Sequence, residues 1–379
     1  MFIELHIIQN FAPSCLNRDE TNAPKDCIFG GLRRARISSQ CIKRAIRSHA
    51  QASPKLKGHL AIRTKRLLDK MVDLLKNIDK PQEEKPIVAK SAIQTMGLNI
   101  GKDGMTEYLI FLGESEILEL KELIMNHWDT LLKMPQTDSS KDDGDKKKAK
   151  KEKKESIPPE VKKAFEQVLE KGKAADLALF GRMLADLPSK NVDAACQVAH
   201  AISTHKVDME MDFFTAIDDL NPKDESGAGM MGTVEYNSAC FYRYAVINWE
   251  KLLGNIKDKD LARFTVEAFL HASIEAIPTG KQNTFAAQNP PSFIFAVVRE
   301  KGMPWSLANA FEKPVWTNGK GWIEESIKRL DEYWGKLSKM YGDNAEKHWI
   351  SEFEGELPNL GECDQSIDKM VEAILQKLK

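Results

Sequence analysis

Lys25-Asp26-Cys27-Ile28-Phe29-Gly30-Gly31-Leu32-Arg33-Arg34-Ala35-Arg36-Ile37-Ser38-Ser39-Gln40-Cys41-Ile42-Lys43-Arg44-Ala45-Ile46-Arg47 is the stretch on which the fold turns. Its glycine pair permits a sharp turn and a close backbone approach. Beyond Ile37, a serine N-cap precedes Ile42, Ala45 and Ile46 at three–four spacing, so a helix opens at Ser38-Ser39 with a single apolar stripe toward a core. Gln40, Lys43, Arg44 and Arg47 repeat the i, i+3, i+4, i+7 spacing on the adjoining face and form one line of donors. The helix start adds N–H groups suited to an anion. With Arg33 and Arg34 just upstream, the chemistry is that of a surface that tracks phosphates.

Working outward, Met1 to Ile8 sets Ile3, Leu5 and Ile7 against Glu4 and His6, the alternation of a half-buried strand. From about His59 to Leu184 the periodicity is helical: His59 to Ile78, Ser115 to Met134, Pro159 to Leu169 and Ala174 to Leu184 carry apolar residues at three–four spacing. Strand signals return in Ser238 to Asn248 and Ser292 to Arg299, with a helix from Lys259 to Ala276 between them, and helices Ile323 to Tyr341 and Ser366 to Leu378 follow. Strand, helix, helical insertion, strand, helix, strand is the order of an α+β, ferredoxin-like sheet whose halves are separated by inserted elements.

The chain has 379 residues, 42% hydrophobic and 29% charged, with 55 Lys and Arg against 56 Asp and Glu, a net charge of −1. That is the composition of a globular protein with a large core, not of a disordered or collagenous chain. The balance hides a division. Cys27 to Leu68 holds no acid and 11 bases, so the remainder carries −12. A polyanion feels the cluster rather than the total. Asp138 to Glu155 is different, with eight Lys and six acids and no side chain large enough for a core, and is expected to be a flexible charged loop. The N-terminus shows no basic leader and no run of about 18 apolar residues occurs, so a cytoplasmic protein with no membrane partner is expected. Six dispersed cysteines without a C-x-x-C pair suit reduced thiols better than zinc or disulfides.

Familiar catalytic patterns are missing. His200 and His205 are five apart with no Glu beside His200, unlike the metal-binding pair of a metalloprotease. Gly97 to Asp103 lacks the glycine spacing and the Ser or Thr of a phosphate loop. There is no G-x-S-x-G elbow, and Asp218-Asp219 would face opposite ways in a strand, so neither nucleophilic nor two-carboxylate catalysis is supported.

Seven motifs, in order, resemble one family: Pro13-Ser14-Cys15-Leu16-Asn17-Arg18-Asp19; Ile28-Phe29-Gly30-Gly31; Arg36-Ile37-Ser38-Ser39-Gln40 with Lys43-Arg44-Ala45; Ala199-His200-Ala201-Ile202-Ser203-Thr204-His205; Phe214-Thr215-Ala216-Ile217-Asp218-Asp219-Leu220; Phe241-Tyr242-Arg243-Tyr244-Ala245; and Leu307-Ala308-Asn309-Ala310-Phe311-Glu312-Lys313. The chain is similar to the crRNA-binding backbone subunit (CasC family) of the type I-E CRISPR Cascade complex. The resemblance implies an RRM/ferredoxin-like palm with an inserted helical finger domain and a thumb β-hairpin. Its bounds would be palm 1–58, finger 59–185 with the flexible loop at 136–156, a return to the palm at 186–205, thumb 206–237, and second palm part with C-terminal helices at 238–379.

The same resemblance implies a non-catalytic protein without metal or cofactor, whose partners are crRNA, target DNA through that crRNA, further copies of itself and other Cascade subunits. The guide backbone would be gripped by Arg18, Lys25, Arg33, Arg34, Ser38, Ser39, Gln40, Lys43, Arg44 and Arg47. Met183, in Gly181-Arg182-Met183, would wedge beside displaced bases. The thumb would add Phe213, Phe214, Thr215, Met230 and Met231 around the glycine-rich Gly227 to Gly232, with one ring on a base contributing on the order of 1–3 kcal/mol. Lys281 and Gln282 are further candidate contacts, while Leu32 and Asn283 stand where some relatives carry a basic residue. Two rival functions are an RNA-guided ribonuclease using Asp19 or Asp26, and a general single-stranded RNA-binding protein; the lack of an aromatic-rich RNP-like strand speaks against ordinary sheet stacking.

Overall fold

The computed structural model describes residues 1–134, 158–169, 174–184, 187–216, 230–317 and 319–378. The charged loop expected at 136–156, Asp218-Asp219 and the glycines at 227–229 lie outside the described residues. In chain order the elements are β1 (Phe2–Ser14), β2 (Asp26–Phe29), β3 (Leu32–Ile37), α1 (Ser39–Ala50), β4 (Ala61–Thr64), α2 (Leu67–Leu75), α3 (Glu84–Thr95), β5 (Ile110–Gly113), α4 (Glu114–Asn126) and α5 (Trp128–Leu132). They continue with α6 (Pro159–Val168), α7 (Ala175–Phe180), β6 (Cys196–Val198), β7 (Ala201–Ser203), β8 (Glu210–Ala216), β9 (Met230–Asn248), α8 (Trp249–Ile256), α9 (Lys259–Glu275), α10 (Gln282–Phe285), β10 (Phe293–Arg299), α11 (Ile323–Tyr341), β11 (Glu346–Ser351) and α12 (Ile367–Lys377).

Two compact units form. The first takes Met1–Ser53, Cys196–Glu250 and Val266–Lys379; the second takes Pro54–Ala195 and Lys251–Thr265. In the first, one sheet runs β11-β10-β1-β9-β7-β3-β2, with β6 and β8 also paired to β9. Its centre, β10-β1-β9-β7, is antiparallel throughout and has the order expected of a ferredoxin-like palm, with α1 and α9 as its crossover helices.

The strand expected to be half-buried is buried on both faces. Ile3 to Ile8 are all inaccessible, including Glu4 and His6 at 0% exposure. The reason is tertiary: on the face that an RRM leaves open, α11 and the segment preceding it place Trp305, Phe311, Leu330 and Trp334 in one cluster with Ile8, Tyr242 and Phe295. Glu4 answers Arg299 at 2.6 Å and accepts from Trp305 N at 2.7 Å. His6 Nδ1 lies 2.9 Å from Tyr242 Oη. Burial, aided by the Arg299 charge, pushes the His6 pKa down to about 3, so the ring is neutral at physiological pH. The polar residues of the alternation therefore belong to a buried network rather than to a wet face.

The second unit is mostly helical, built on a core of Leu67, Met71, Ile93, Leu120, Ile124 and Phe165. It departs from the sequence expectation in four places. Residues 61–64 are a strand paired with β5, Ala61 opposite Gly113, rather than the start of a helix. The helix expected over 174–184 ends at Phe180, because Gly181 takes φ 79°. Residues 187–195, expected in the palm, stay with this unit, and Arg182 and Val192 exchange main-chain hydrogen bonds at 2.9 Å. Lys251–Thr265 joins it as well: Asn255 Nδ2 donates to the carbonyls of Ala178 and Asp193.

The thumb hairpin is the outer part of a 19-residue β9. One strand thus runs from the centre of the palm sheet out to Met230, and β8 pairs only with its distal half, Glu210 opposite Tyr236 through Ala216 opposite Met230.

Candidate nucleic-acid interface

At the end of the sheet where β1 finishes, four pieces of the first unit meet. The loop after β1 is closed by Asn17, whose Oδ1 accepts from Ser38 N at 2.8 Å and whose carbonyl accepts from Lys25 N at 2.8 Å. The helix N-cap and the basic loop are thereby one piece. Ser38 is buried and caps α1 by accepting from Cys41 N at 3.3 Å. Of the two serines expected to offer N–H donors, Ser38 has its N–H occupied by Asn17 and Ser39 carries the position nearer solvent.

The loop carrying Lys281 and Gln282 seats directly on this piece. Gly280 has no room for a Cβ, which would sit against Leu16 O and 2.8 Å from Cys15 O. Lys281 and Ala286 adopt left-handed backbone conformations, φ 51° and 47°, a strained geometry for residues with side chains that tends to gather at binding sites. Lys281 and Arg18 both pull the buried Cys15 thiol toward ionisation, against a larger upward push from burial. The two cations therefore flank the same point. Gln282 Nε2 holds the loop closed on Pro278 O and Ala287 O, while its Oε1 is buried without a partner.

The remaining candidates separate clearly. Arg18 is exposed and reaches Asn22 Oδ1 at 3.1 Å; Lys25 is half-buried. Arg33 is 55% exposed and pairs with Asp26 at 2.9 Å. On α1, Gln40 and Arg44 are exposed and Lys43 and Arg47 half-buried. Arg34 is the correction. Its side chain is fully buried, with guanidinium donors on Ser203 O (3.0 Å), Phe311 O (2.9 Å) and Glu312 O (3.1 Å). Neighbours in a strand leave it on opposite sides, and on the side of Arg34 the segment carrying Phe311 and Glu312 covers the guanidinium. Arg34 locks the Leu307–Lys313 segment to the glycine turn, where Gly30, at φ 59°, abuts Glu312 O. It is a structural residue, not a phosphate ligand. Leu32 is half-buried and Asn283 exposed.

The hairpin presents apolar groups on both faces. Register puts Met211, Phe213 and Thr215 with Met231 on one face, and Phe214 with Gly232 and Met230 on the other. Exposures of 71% for Met211, 61% for Phe213, 60% for Met230 and 65% for Met231 show that, among the described residues, no core covers either side. Phe214, at 39%, lies across Gly232, where a Cβ would come 2.6 Å from its ring. Half of its surface is therefore used within the hairpin. At the base, Tyr236 meets Phe285 with ring centroids 5.6 Å apart, which connects the thumb to the Lys281 loop. Met183 belongs to the other unit, on the turn after α7, and is 84% exposed.

Sequence reasoning passed over three residues of this site. Asn17 stood in a motif without a role; Gly280 was signalled only by the Pro278-Thr279-Gly280 turn chemistry; Met211 was detectable from its alternation with Phe213. Both acids of the ribonuclease alternative have local partners. Asp19 accepts from Thr21 N, Thr21 Oγ1 and Ala23 N, which holds its pKa below the usual carboxylate range, and Asp26 faces Arg33. Among the described residues no group of three or more His, Cys, Asp or Glu is arranged to hold a metal ion, and no helix is long and apolar enough to cross a membrane.

A solved structure described as a "CRISPR RNA-guided surveillance complex, pre-nicking" contains a chain 30% identical to this one, with a TM-score of 0.87 over 100% of both chains. A second, a "CRISPR RNA-guided surveillance complex", contains one 26% identical, with a TM-score of 0.76 over 99% of both. No curated protein sequence matches. The profile of the CT1975-like protein family matches residues 3–375, and the chain belongs to that CRISPR-associated family, as its seven motifs led one to expect.

Proposed function

We propose that this chain is the non-catalytic backbone subunit of a type I-E Cascade complex, several copies of which line the spacer part of a crRNA, kink it and present it for pairing with target DNA. The observation that carries the proposal is the hairpin. It is a two-faced apolar blade, with no core of its own, extending from the sheet end that also bears Arg18, Lys25, Arg33 and Lys281. Phosphate donors beside apolar wedges suit a protein that must hold any guide, since they grip backbone and shape and leave the bases to be read by pairing. The RRM-type sheet face is closed by α11, so RNA is left to the sheet end and the hairpin. Full-length similarity to chains of RNA-guided surveillance complexes supports the same role.

The test is the nucleic acid that co-purifies with the full chain and its assembly on it. Short RNAs with constant repeat ends are expected, and Phe213→Ala with Met231→Ala should weaken assembly while the isolated protein stays folded. Random cellular RNA bound at equal stoichiometry would favour the general RNA-binding alternative. Magnesium-dependent cleavage of bound RNA, lost in Asp26→Ala, would favour the ribonuclease.

A further inference from the structure

Met183 is 84% exposed, yet both neighbours in sequence are buried, Arg182 at 5% and Leu184 at 6%. In an extended segment successive side chains point to opposite sides, so anchoring 182 and 184 inside drives 183 outward. The anchoring is elaborate. Gly181 ends α7 at φ 79°, and a Cβ there would lie 2.7 Å from Val192 O and 2.9 Å from Ala194 N. Arg182 and Val192 exchange both main-chain hydrogen bonds, and Leu184 N donates to Asn191 Oδ1 at 2.6 Å.

Arg182 does the most. Its Nη1 bonds both oxygens of buried Glu116, at 2.9 and 3.0 Å, and Phe111 O at 3.2 Å; its Nη2 bonds Leu169 O. Glu116 in turn accepts from Gly113 N at 2.7 Å at the start of α4. One guanidinium thus ties the end of β5, the start of α4 and the end of α6 to the turn that bears Met183. A buried ion pair is seldom retained for stability, because apolar replacements of similar volume are often as stable.

We propose that Arg182 and Glu116 are positioning residues that mount Met183 as a rigid apolar peg for insertion beside nucleobases of the bound guide. This rests on the proposed crRNA-binding role and on Met183 as its wedge. A peg fixed before binding loses little conformational freedom when it inserts, and so favours one nucleotide register over its neighbours.

The test uses the full chain assembled on guide RNA, with dimethyl sulfate reactivity of the guide's bases as readout. Met183→Ala should abolish the periodic exposure of bases. Arg182→Met with Glu116→Leu, which replaces the pair without leaving a buried charge, should abolish it equally while the chain still assembles, and adding Met183→Ala should cause no further change. Periodicity that survives the double variant but not Met183→Ala overturns the mount and leaves the wedge. Further loss in the triple variant overturns the mount by showing a general packing role. Unaltered periodicity in Met183→Ala overturns the wedge itself, and the mount with it. Should the double variant unfold the second unit, Arg182→Lys, which keeps a cation beside Glu116 but lacks the fork that also reaches Phe111 O and Leu169 O, is read by the same outcomes.

Discussion

Arg34 and Arg33 are adjacent, equally basic and expected on sequence grounds to do the same thing; the structure buries the first and leaves the second 55% exposed, and the pair is a sharp test. Arg34→Ala removes three guanidinium hydrogen bonds to carbonyls of Ser203, Phe311 and Glu312, two of them buried. Orphaning a buried acceptor costs about 1–3 kcal/mol. Allowing partial relaxation and one bond nearer solvent, the loss should be about 3–5 kcal/mol. In a unit of this size each kcal/mol lowers Tm by roughly 2–4 °C, so Arg34→Ala should melt roughly 6–20 °C below the wild type by circular dichroism or calorimetry without RNA. Arg33→Ala breaks only an exposed pair with Asp26 and should change stability by less than about 1 kcal/mol, while weakening guide RNA in a filter-binding or mobility assay. An Arg34→Ala protein that melts with the wild type and loses RNA affinity as Arg33→Ala does would refute the assignment of Arg34 to the core.

Three further outcomes follow from the same geometry. With Arg34 withdrawn into the core, about six of the sequence-expected bases (Arg18, Lys25, Arg33, Lys43, Arg44, Arg47) lie at or near the surface, so log affinity should fall against log salt with a slope of roughly −4 per protomer; a flat response would contradict phosphate gripping. His6, depressed to about 3 by burial and Arg299, makes the palm acid-sensitive: below about pH 6.5 the unfolded chain takes up a proton that the folded one refuses, so stability falls toward pH 3 by up to about 1.4 kcal/mol per pH unit. His6→Phe should flatten that part of a denaturation-versus-pH curve measured from pH 6.5 down, while Glu4, whose pKa burial raises, contributes with the opposite sign in both proteins. Gly280→Ala should lift the Lys281 loop off Leu16 and Cys15, cost about 1–3 kcal/mol and weaken RNA binding; wild-type affinity would show that the loop lies outside the interface.

The elements legible in the sequence were those whose signals are local. Ser38 capping a helix with Ile42 and Ile46 inward, the start of α11 at Ile323 and its end at Tyr341, and β10 within Ser292 to Arg299 follow from caps and periodicity that need no distant partner. β4 was missed because Ala61 to Thr64 becomes a strand only by pairing with residues 110–113, and α7 was overextended because apolar spacing continued past a glycine whose φ the sequence does not display. In the site, Arg33 and the α1 donors were visible as an acid-free cluster, whereas Gly280 and Asn17 act through contacts with residues far away in the chain or across a loop.

Sequence alone determined the α+β order, the basic stretch from Cys27 to Leu68 and the family, because charge clusters and helix periods are properties of neighbours along the chain. Tertiary structure alone decided which of those bases face a ligand. Arg34 turns inward beside outward Arg33, and Met183 stands out between buried Arg182 and Leu184, because the side on which a residue lands depends on the elements packed behind it. The same holds for Glu4 and His6, whose polar alternation promised a wet face until α11 closed it.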